Sequence, residues 1–272
     1  MIAVYAMGGG LGHIARARRV VKALGFAPSQ AAILTASKLA PASDPGIVRV
    51  PRWLAGSRAA FGAWLKGTLR ALAPSAVVVD AFPLGILGEL ADYNVLPEVP
   101  VYHVARLLKW DAYRGTFAGT PRRFEASYAV EPLTPAHEAF LAINSKVLLP
   151  FKLNSENKKS QENPFEKPTW LIVHSGPETE VHALLDFASK RANEERVAPQ
   201  FVIVSPRALA LPAGVARVAH PRAWELFPHA DRIVTACGFN SMLEVAPCRA
   251  RHLFLPLERR FDDQFLRARR AA

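Results

Sequence analysis

Residues 2–16 read IAVYAMGGGLGHIAR, and residues 232–244 read RIVTACGFNSMLE. Each is a short apolar run that ends in a glycine turn and opens at once into a helical pattern. A short apolar run bounded by turn residues reads as a buried strand. Glycine lets the backbone turn tightly and lets a ligand approach it closely. Two such strand–turn–helix stretches, one near each end, predict two copies of a single α/β plan.

Outward from these stretches the alternation continues. Further strands are predicted at 31–34, 47–50, 76–79, 99–104, 129–130 and 147–149, with helices over 13–24, 57–72, 83–90 and 135–142. A second series places strands at 170–173, 201–204, 215–218, 232–235 and 252–255, and helices over 178–191, 224–229, 240–245 and 262–270. Strands alternating with helices predict parallel sheets covered on both faces. The composition breaks once, at Lys152–Lys167 (KLNSENKKSQENPFEK), which lacks apolar periodicity. This divides the chain into an N-terminal Rossmann-like domain (1–152), a linker (153–168) and a C-terminal Rossmann-like domain (169–272). The linker stretch also reads as an insertion covering the cleft.

The chain has 272 residues, half of them hydrophobic, enough for two modest cores. Its two cysteines, Cys237 and Cys248, show no disulfide or zinc spacing, and no metal site is expected. No apolar run approaches the ~18 residues of a membrane span. The first residues begin directly as a strand, with no signal-peptide pattern. These features predict a cytoplasmic protein. The net charge is +11. The basic residues are scattered and carry no nucleic-acid signature, so nucleic acid is not an expected partner. An anionic membrane surface is the better candidate, which extends the predicted location to the inner face of the membrane; ordinary solubility charge predicts the same balance.

Four motifs carry candidate chemistry. Gly8-Gly9-Gly10-Leu11-Gly12-His13 follows the first strand and offers helix N–H groups to a polar ligand, with Gly10 and Gly12 as backbone contacts. It lacks a Walker Lys and the acidic residue of a dinucleotide site, so ATP and nicotinamide cofactors are disfavoured. His13 falls at the helix start, where the positive dipole end favours a neutral imidazole able to accept a proton. It reads equally as a loop cap. Asp80 ends the strand 76–79, placed to orient His13, to touch substrate or to cap a loop. Gly238-Phe239-Asn240-Ser241-Met242-Leu243-Glu244 repeats the strand–turn–helix pattern, with Ser241 and neighbouring N–H groups suited to a diphosphate and Glu244 to ribose hydroxyls. Asp263-Gln264 supplies hydrogen-bonding groups suited to a hexose. Ser175 and Gly176, after His174, are placed to face the donor phosphates, and His220 lies in a loop able to meet a base.

In this order the motifs resemble the GT-B nucleotide-sugar superfamily. Ala230-Asp231, Gly238–Glu244, Pro256, Asp263-Gln264 and Ala268 are similar to the C-terminal domain of MurG-like enzymes, with Ser241 in place of Thr. The stretch GGGLGHIAR, with Arg16 three residues after His13, is similar to a GLGHxxR group and to PseG-type UDP-sugar hydrolases. The resemblance implies two Rossmann-like domains facing each other across a cleft. It implies a UDP-sugar bound by the C-terminal domain, a hydroxyl acceptor on the N-terminal side, His13 as base, and no metal or other cofactor. Glycosyl transfer from a UDP-sugar to a hydroxyl acceptor is the leading expectation, and the positive net charge makes a lipid-linked or membrane-proximal acceptor one candidate. Hydrolysis of a UDP-sugar, or a nucleotide-sugar-binding subunit that requires a partner, are the alternatives.

Overall fold

The computed structural model describes residues 1–40, 43–54, 56–155 and 162–272. The chain forms two compact units: Met1–Leu153 with Arg260–Asp262, and Asn154–Arg259 with Asp263–Ala272. Residues 156–161 of the predicted linker lie outside the described residues. At its far end Phe165 already packs on the core of the second unit.

The first unit carries seven strands: β1 (Ile2–Tyr5), β2 (Ala31–Thr35), β3 (Ile47–Arg49), β4 (Ala76–Asp80), β5 (Val101–Ala105), β6 (Ala126–Ala129) and β7 (Leu148–Pro150). They lie parallel in the order β3-β2-β1-β4-β5-β6-β7. Its helices are α1 (Gly12–Ala23), α2 (Arg58–Leu72), α3 (Trp110–Thr116) and α4 (Pro135–Asn144). Every residue of β1 and β2 is buried. Helices cover both faces of a parallel sheet, so its central strands read as continuous apolar runs rather than alternating ones. Ser57 caps α2 by accepting the Ala60 N–H, and Phe61, Leu65 and Leu69 lay one face of that helix onto Tyr5, Val77 and Val79.

The second unit carries β8 (Thr169–Val173), β9 (Gln200–Val204), β10 (Ala216–Val218), β11 (Arg232–Ala236) and β12 (His252–Leu255), again parallel, in the order β10-β9-β8-β11-β12. Its helices are α5 (Glu178–Glu195), α6 (Phe239–Val245) and α7 (Gln264–Ala271). Alternate residues of β8 face opposite cores. Trp170 and Ile172 pack with Val181, Leu184 and Ala188 of α5, while Leu171 packs with Trp224, Phe227 and Val245.

In both sheets the order in which strands are added reverses at an equivalent place, between β1 and β4 in one unit and between β8 and β11 in the other. In open α/β sheets ligands bind outside the carboxyl ends of the strands at this switch point. All four strands are followed there by stretches singled out in the sequence.

One predicted helix is absent. Residues 83–90 form an irregular turn that closes in a 3-10 turn at Glu89–Ala91, with Gly85 and Gly88 in the left-handed region at φ +84° and +79°. Pro83 resembles a helix start, but side chains satisfy this backbone instead. The Tyr5 hydroxyl accepts the Ile86 N–H (2.8 Å), the Tyr113 hydroxyl accepts the Leu84 N–H (2.9 Å), and the Glu89 carboxylate accepts the Leu87 N–H (2.9 Å). A Cβ on Gly85 would meet the Glu89 carboxyl at 2.4 Å, so this tight turn demands glycine. The helix expected over 262–270 begins later, at Gln264, because Asp263 caps it through the Leu266 N–H.

Candidate active site

The first switch point holds a buried ionic network. His13 is the second residue of α1. Its ring folds back over the glycine turn so closely that a Cβ on Gly8 would sit 2.1 Å from it. His13 Nδ1 lies 2.7 Å from Asp80 Oδ2. Arg16, one turn further along α1, grips the same carboxylate with two donors: Nε to Oδ1 at 2.5 Å and a terminal nitrogen to Oδ2 at 2.7 Å. Arg16 is 2 % and Asp80 1 % exposed. A buried pair of this kind holds only when its charges satisfy each other, and a bidentate Arg–carboxylate fork does so with fixed geometry.

The network fixes the proton on the imidazole. Burial works to raise the pKa of Asp80, but the Arg16 guanidinium and His13 override it and hold the group below the usual carboxylate range. An ionised carboxylate only accepts, so Nδ1 carries the hydrogen and Nε2 keeps its lone pair. Burial lowers the pKa of His13, with Arg16 and Arg106 adding to the fall and Asp80 opposing it. The imidazole is therefore neutral near pH 7. Burial is the leading cause.

Immediately after Asp80 the backbone turns hard. Ala81 sits at φ +67°, and the Phe82 N–H bonds back to the Asp80 carbonyl at 2.9 Å. This is a γ-turn of the strained sense, a kind of cost found where surroundings over-determine the backbone. It presents Phe82 to His13, whose ring it stacks upon at 5.7 Å and 26°. Gly10 and Gly12 lie in the same loop, Gly12 as the first residue of α1. A Cβ on Gly9 or Gly10 would touch nothing within 4 Å among the described residues, so packing against them gives no reason for glycine there.

The second switch point holds another histidine–carboxylate–arginine group. His174, just past β8, places Nε2 2.6 Å from Glu180 Oε2, and Arg259 holds both Glu180 oxygens at 2.7 and 2.6 Å. A Cβ on Gly176 would lie 2.2 Å from His174 and 2.4 Å from Glu180, so this turn also depends on glycine. The Ser175 carbonyl accepts from Arg207 at 3.0 Å. Burial lowers the His174 pKa, Glu180 opposing it. Past β11, Gly238 precedes α6, on which Phe239 is buried and Asn240, Ser241 and Glu244 are half-buried.

Three predicted residues have structural partners. Gln264 is 3 % exposed, and its Oε1 accepts the Leu257 N–H at 3.0 Å, tying the loop after β12 to α7. Asp263 caps α7. His220 Nδ1 accepts the Arg222 N–H at 3.3 Å ahead of the 3-10 turn Ala223–His229.

The structure thus brings His13 and Asp80 into direct contact in the first unit. It gathers Ser175, Gly176 and the Gly238–Glu244 stretch at the β8 and β11 ends in the second. The sequence reading gave no role to Arg16, Glu180 or Arg259. The spacing of His13 and Arg16, three apart on one helix, was a usable signal for the first; nothing local marks the 79-residue separation of Glu180 and Arg259. No group of three or more His, Cys, Asp or Glu able to hold a metal occurs among the described residues. No helix among them is long and apolar enough to cross a membrane.

No protein-family model matches the chain, and no curated protein matches it in sequence. Solved structures do match it in fold. The spinosyn rhamnosyltransferase SpnG complexed with thymidine diphosphate superposes with a TM-score of 0.60 at 15% identity, covering 99% of this chain and 83% of SpnG. The glycosyltransferase SnogD from Streptomyces nogalater gives 0.54 at 17% identity, covering 94% and 81%. A ugt transferase from Siraitia grosvenorii in complex with UDP gives 0.54 at 12% identity, covering 98% and 82%. The fold is that of these glycosyltransferases, two Rossmann-like units of the GT-B class.

Proposed function

We propose that the chain is a glycosyltransferase that moves a sugar from a nucleoside-diphosphate donor to a hydroxyl acceptor, with His13 as general base. The observation that carries this reading is the His13–Asp80–Arg16 network at the β1/β4 switch point. A neutral imidazole with Nδ1 bonded to a carboxylate offers Nε2 to an acceptor hydroxyl. As the hydroxyl oxygen attacks the anomeric carbon, its proton passes to Nε2 and the nucleoside diphosphate departs. Asp80 then stabilises the imidazolium that forms, and it does so without taking the proton itself. Burial of the network strengthens that stabilisation.

The β8/β11 switch point is the candidate donor subsite. There Ser241 with the Gly238 turn would meet the diphosphate and Glu244 the ribose hydroxyls. This assignment is supported by the shared fold and by nucleoside diphosphates bound to two of the similar structures, thymidine diphosphate in one and UDP in the other. UDP is the leading candidate on the MurG-like pattern of Gly238–Glu244. The His13 network is the proposed source of base catalysis without a metal. The net charge of +11 supports a membrane-proximal acceptor.

The test combines binding and turnover. UDP or TDP is expected to raise the melting temperature, since a ligand bound to the native state stabilises it. His13→Ala should keep that shift and lose turnover by about 100- to 10,000-fold, the range for a lost general base. A folded protein that responds to neither nucleotide would remove the donor site. Nucleotide release at full rate without acceptor would replace transfer with hydrolysis.

A further inference from the structure

Residues Arg260–Asp262 belong to the first unit although they follow β12 in sequence. They run beside the stretch after β5: Leu108 and Asp262 form an antiparallel bridge, and the Lys109 N–H bonds the Phe261 carbonyl at 2.7 Å. Phe261 is 5 % exposed and enters an aromatic cluster with Phe82 and Tyr113. It meets Tyr113 edge-on at 5.3 Å and Phe82 at 6.0 Å and 67°. Phe82 is the ring stacked on His13. Asp262 forms an ion pair with Arg106, and the two side chains are 14 % and 7 % exposed. The Arg106 guanidinium lies 5.9 Å from the centre of the same Phe82 ring.

Two independent lines therefore run from this tripeptide to the imidazole. One is steric, from Phe261 through Phe82 to the face of His13. The other is electrostatic, from Asp262 through Arg106. We propose that Phe261 and Asp262 are positioning residues for His13, the first holding the ring in place and the second neutralising the cation nearest its stacking partner. The proposal rests on the reading of His13 as the base.

The charged groups acting on His13 are Asp80, which favours its cation, and Arg16 and Arg106, which oppose it. Arg106 faces Asp262 and also acts on His137. Removing the Asp262 charge takes a counter-charge away from Arg106 in a buried setting, and the His13 cation becomes harder to form. The His13 pKa must then fall. Shortening Phe261 leaves the electrostatics alone but frees Phe82, and with it the imidazole face, since a packed aromatic pair holds its geometry by contact on both sides.

The experiment is nitrogen NMR of the imidazoles in histidine-labelled full-length protein, with His13→Ala identifying the signal. In the parent protein His13 should show the Nδ1–H tautomer. Asp262→Asn should lower its pKa on the order of half a pH unit, the effect of one charge at several ångströms in a protein interior. Asp262→Glu should restore it. Phe261→Leu should leave the pKa near that of the parent, mix the two tautomers and reduce turnover about tenfold with the donor KM unchanged. An unchanged His13 titration and tautomer in both folded variants would overturn the proposal. If His13→Ala retains full turnover, the base reading fails instead, and the NMR result still decides whether these residues position the ring.

Discussion

His137 on α4 is fully buried, and neither of its ring nitrogens has a hydrogen-bond partner among the described residues. It lies flat on Trp110, ring centres 4.0 Å apart and planes 10° apart. Burial, with further opposition from His103 and Arg106, pushes its pKa down to about 2 from an ordinary 6.5. A histidine with a depressed native pKa binds protons better when unfolded, so its contribution to stability is complete above pH 6.5 and is lost as pH falls below that value. At pH 5 protonation of an unfolded imidazole lowers the free energy of the unfolded state by about 2 kcal/mol, against about 0.2 kcal/mol at pH 7. His103, buried on β5 with its pKa pushed down to about 4, adds a similar amount over the same interval. Denaturation by urea at pH 7 and pH 5 should therefore show the parent losing about 4 kcal/mol from these two groups. His137→Phe keeps the stack on Trp110 and removes the titration. Any packing change from the larger ring is the same at both pH values, so the difference of differences isolates the proton. The variant should lose about 2 kcal/mol less than the parent between pH 7 and 5, or about 4–8 °C less in melting temperature for a unit of this size. Equal losses in parent and variant would refute the reasoning.

Other perturbations probe the site itself. Gly8→Ala should displace the His13 ring, which stands 2.1 Å from the added carbon, and abolish turnover while the nucleotide-induced thermal shift persists. Asp80→Asn should cost about 3–5 kcal/mol in denaturation, because it removes one charge of a buried pair with Arg16, and should cut turnover as strongly as His13→Ala. Glu244→Ala should weaken nucleotide binding by about 1–3 kcal/mol in calorimetry if its carboxylate holds the ribose; unchanged affinity would take Glu244 out of the site. Co-sedimentation with vesicles rich in anionic lipid should rise with lipid charge and fall with salt, and binding indifferent to both would remove the membrane surface as a partner.

The fold was legible because it rests on short-range pattern. Strands buried on both faces must be apolar throughout, and a parallel connection must return through a helix, so alternation revealed the α/β plan and the composition break at Lys152–Lys167 divided it into two units. Element ends were legible where a cap announces them, as at Ser57. They were misread where the backbone is held by distant side chains. Nothing within residues 83–90 says that hydroxyls of Tyr5 and Tyr113 will satisfy its N–H groups, so Pro83 looked like the start of a helix. α3 escaped notice for a related reason: its seven residues are too few to show a period, and it is fixed by burying Trp110 and Tyr113.

The site divides along the same line. His13 and Asp80 were visible as polar residues at strand ends, but their union depends on β1 and β4 being neighbours, a fact of strand order that no spacing records. Once that order is known, the rest follows from the cost of burial. A carboxylate 1 % exposed at a strand end must find a cation, and Arg16 is the buried cation on the adjoining helix. Its guanidinium satisfies most of Asp80's charge and leaves one oxygen shared with His13 Nδ1. Without Arg16, burial would raise the Asp80 pKa and the pair would tend to neutralise, taking the orienting acceptor from the imidazole. The arginine that the sequence reading noted only as a motif match is therefore the residue on which the protonation state of the proposed base depends.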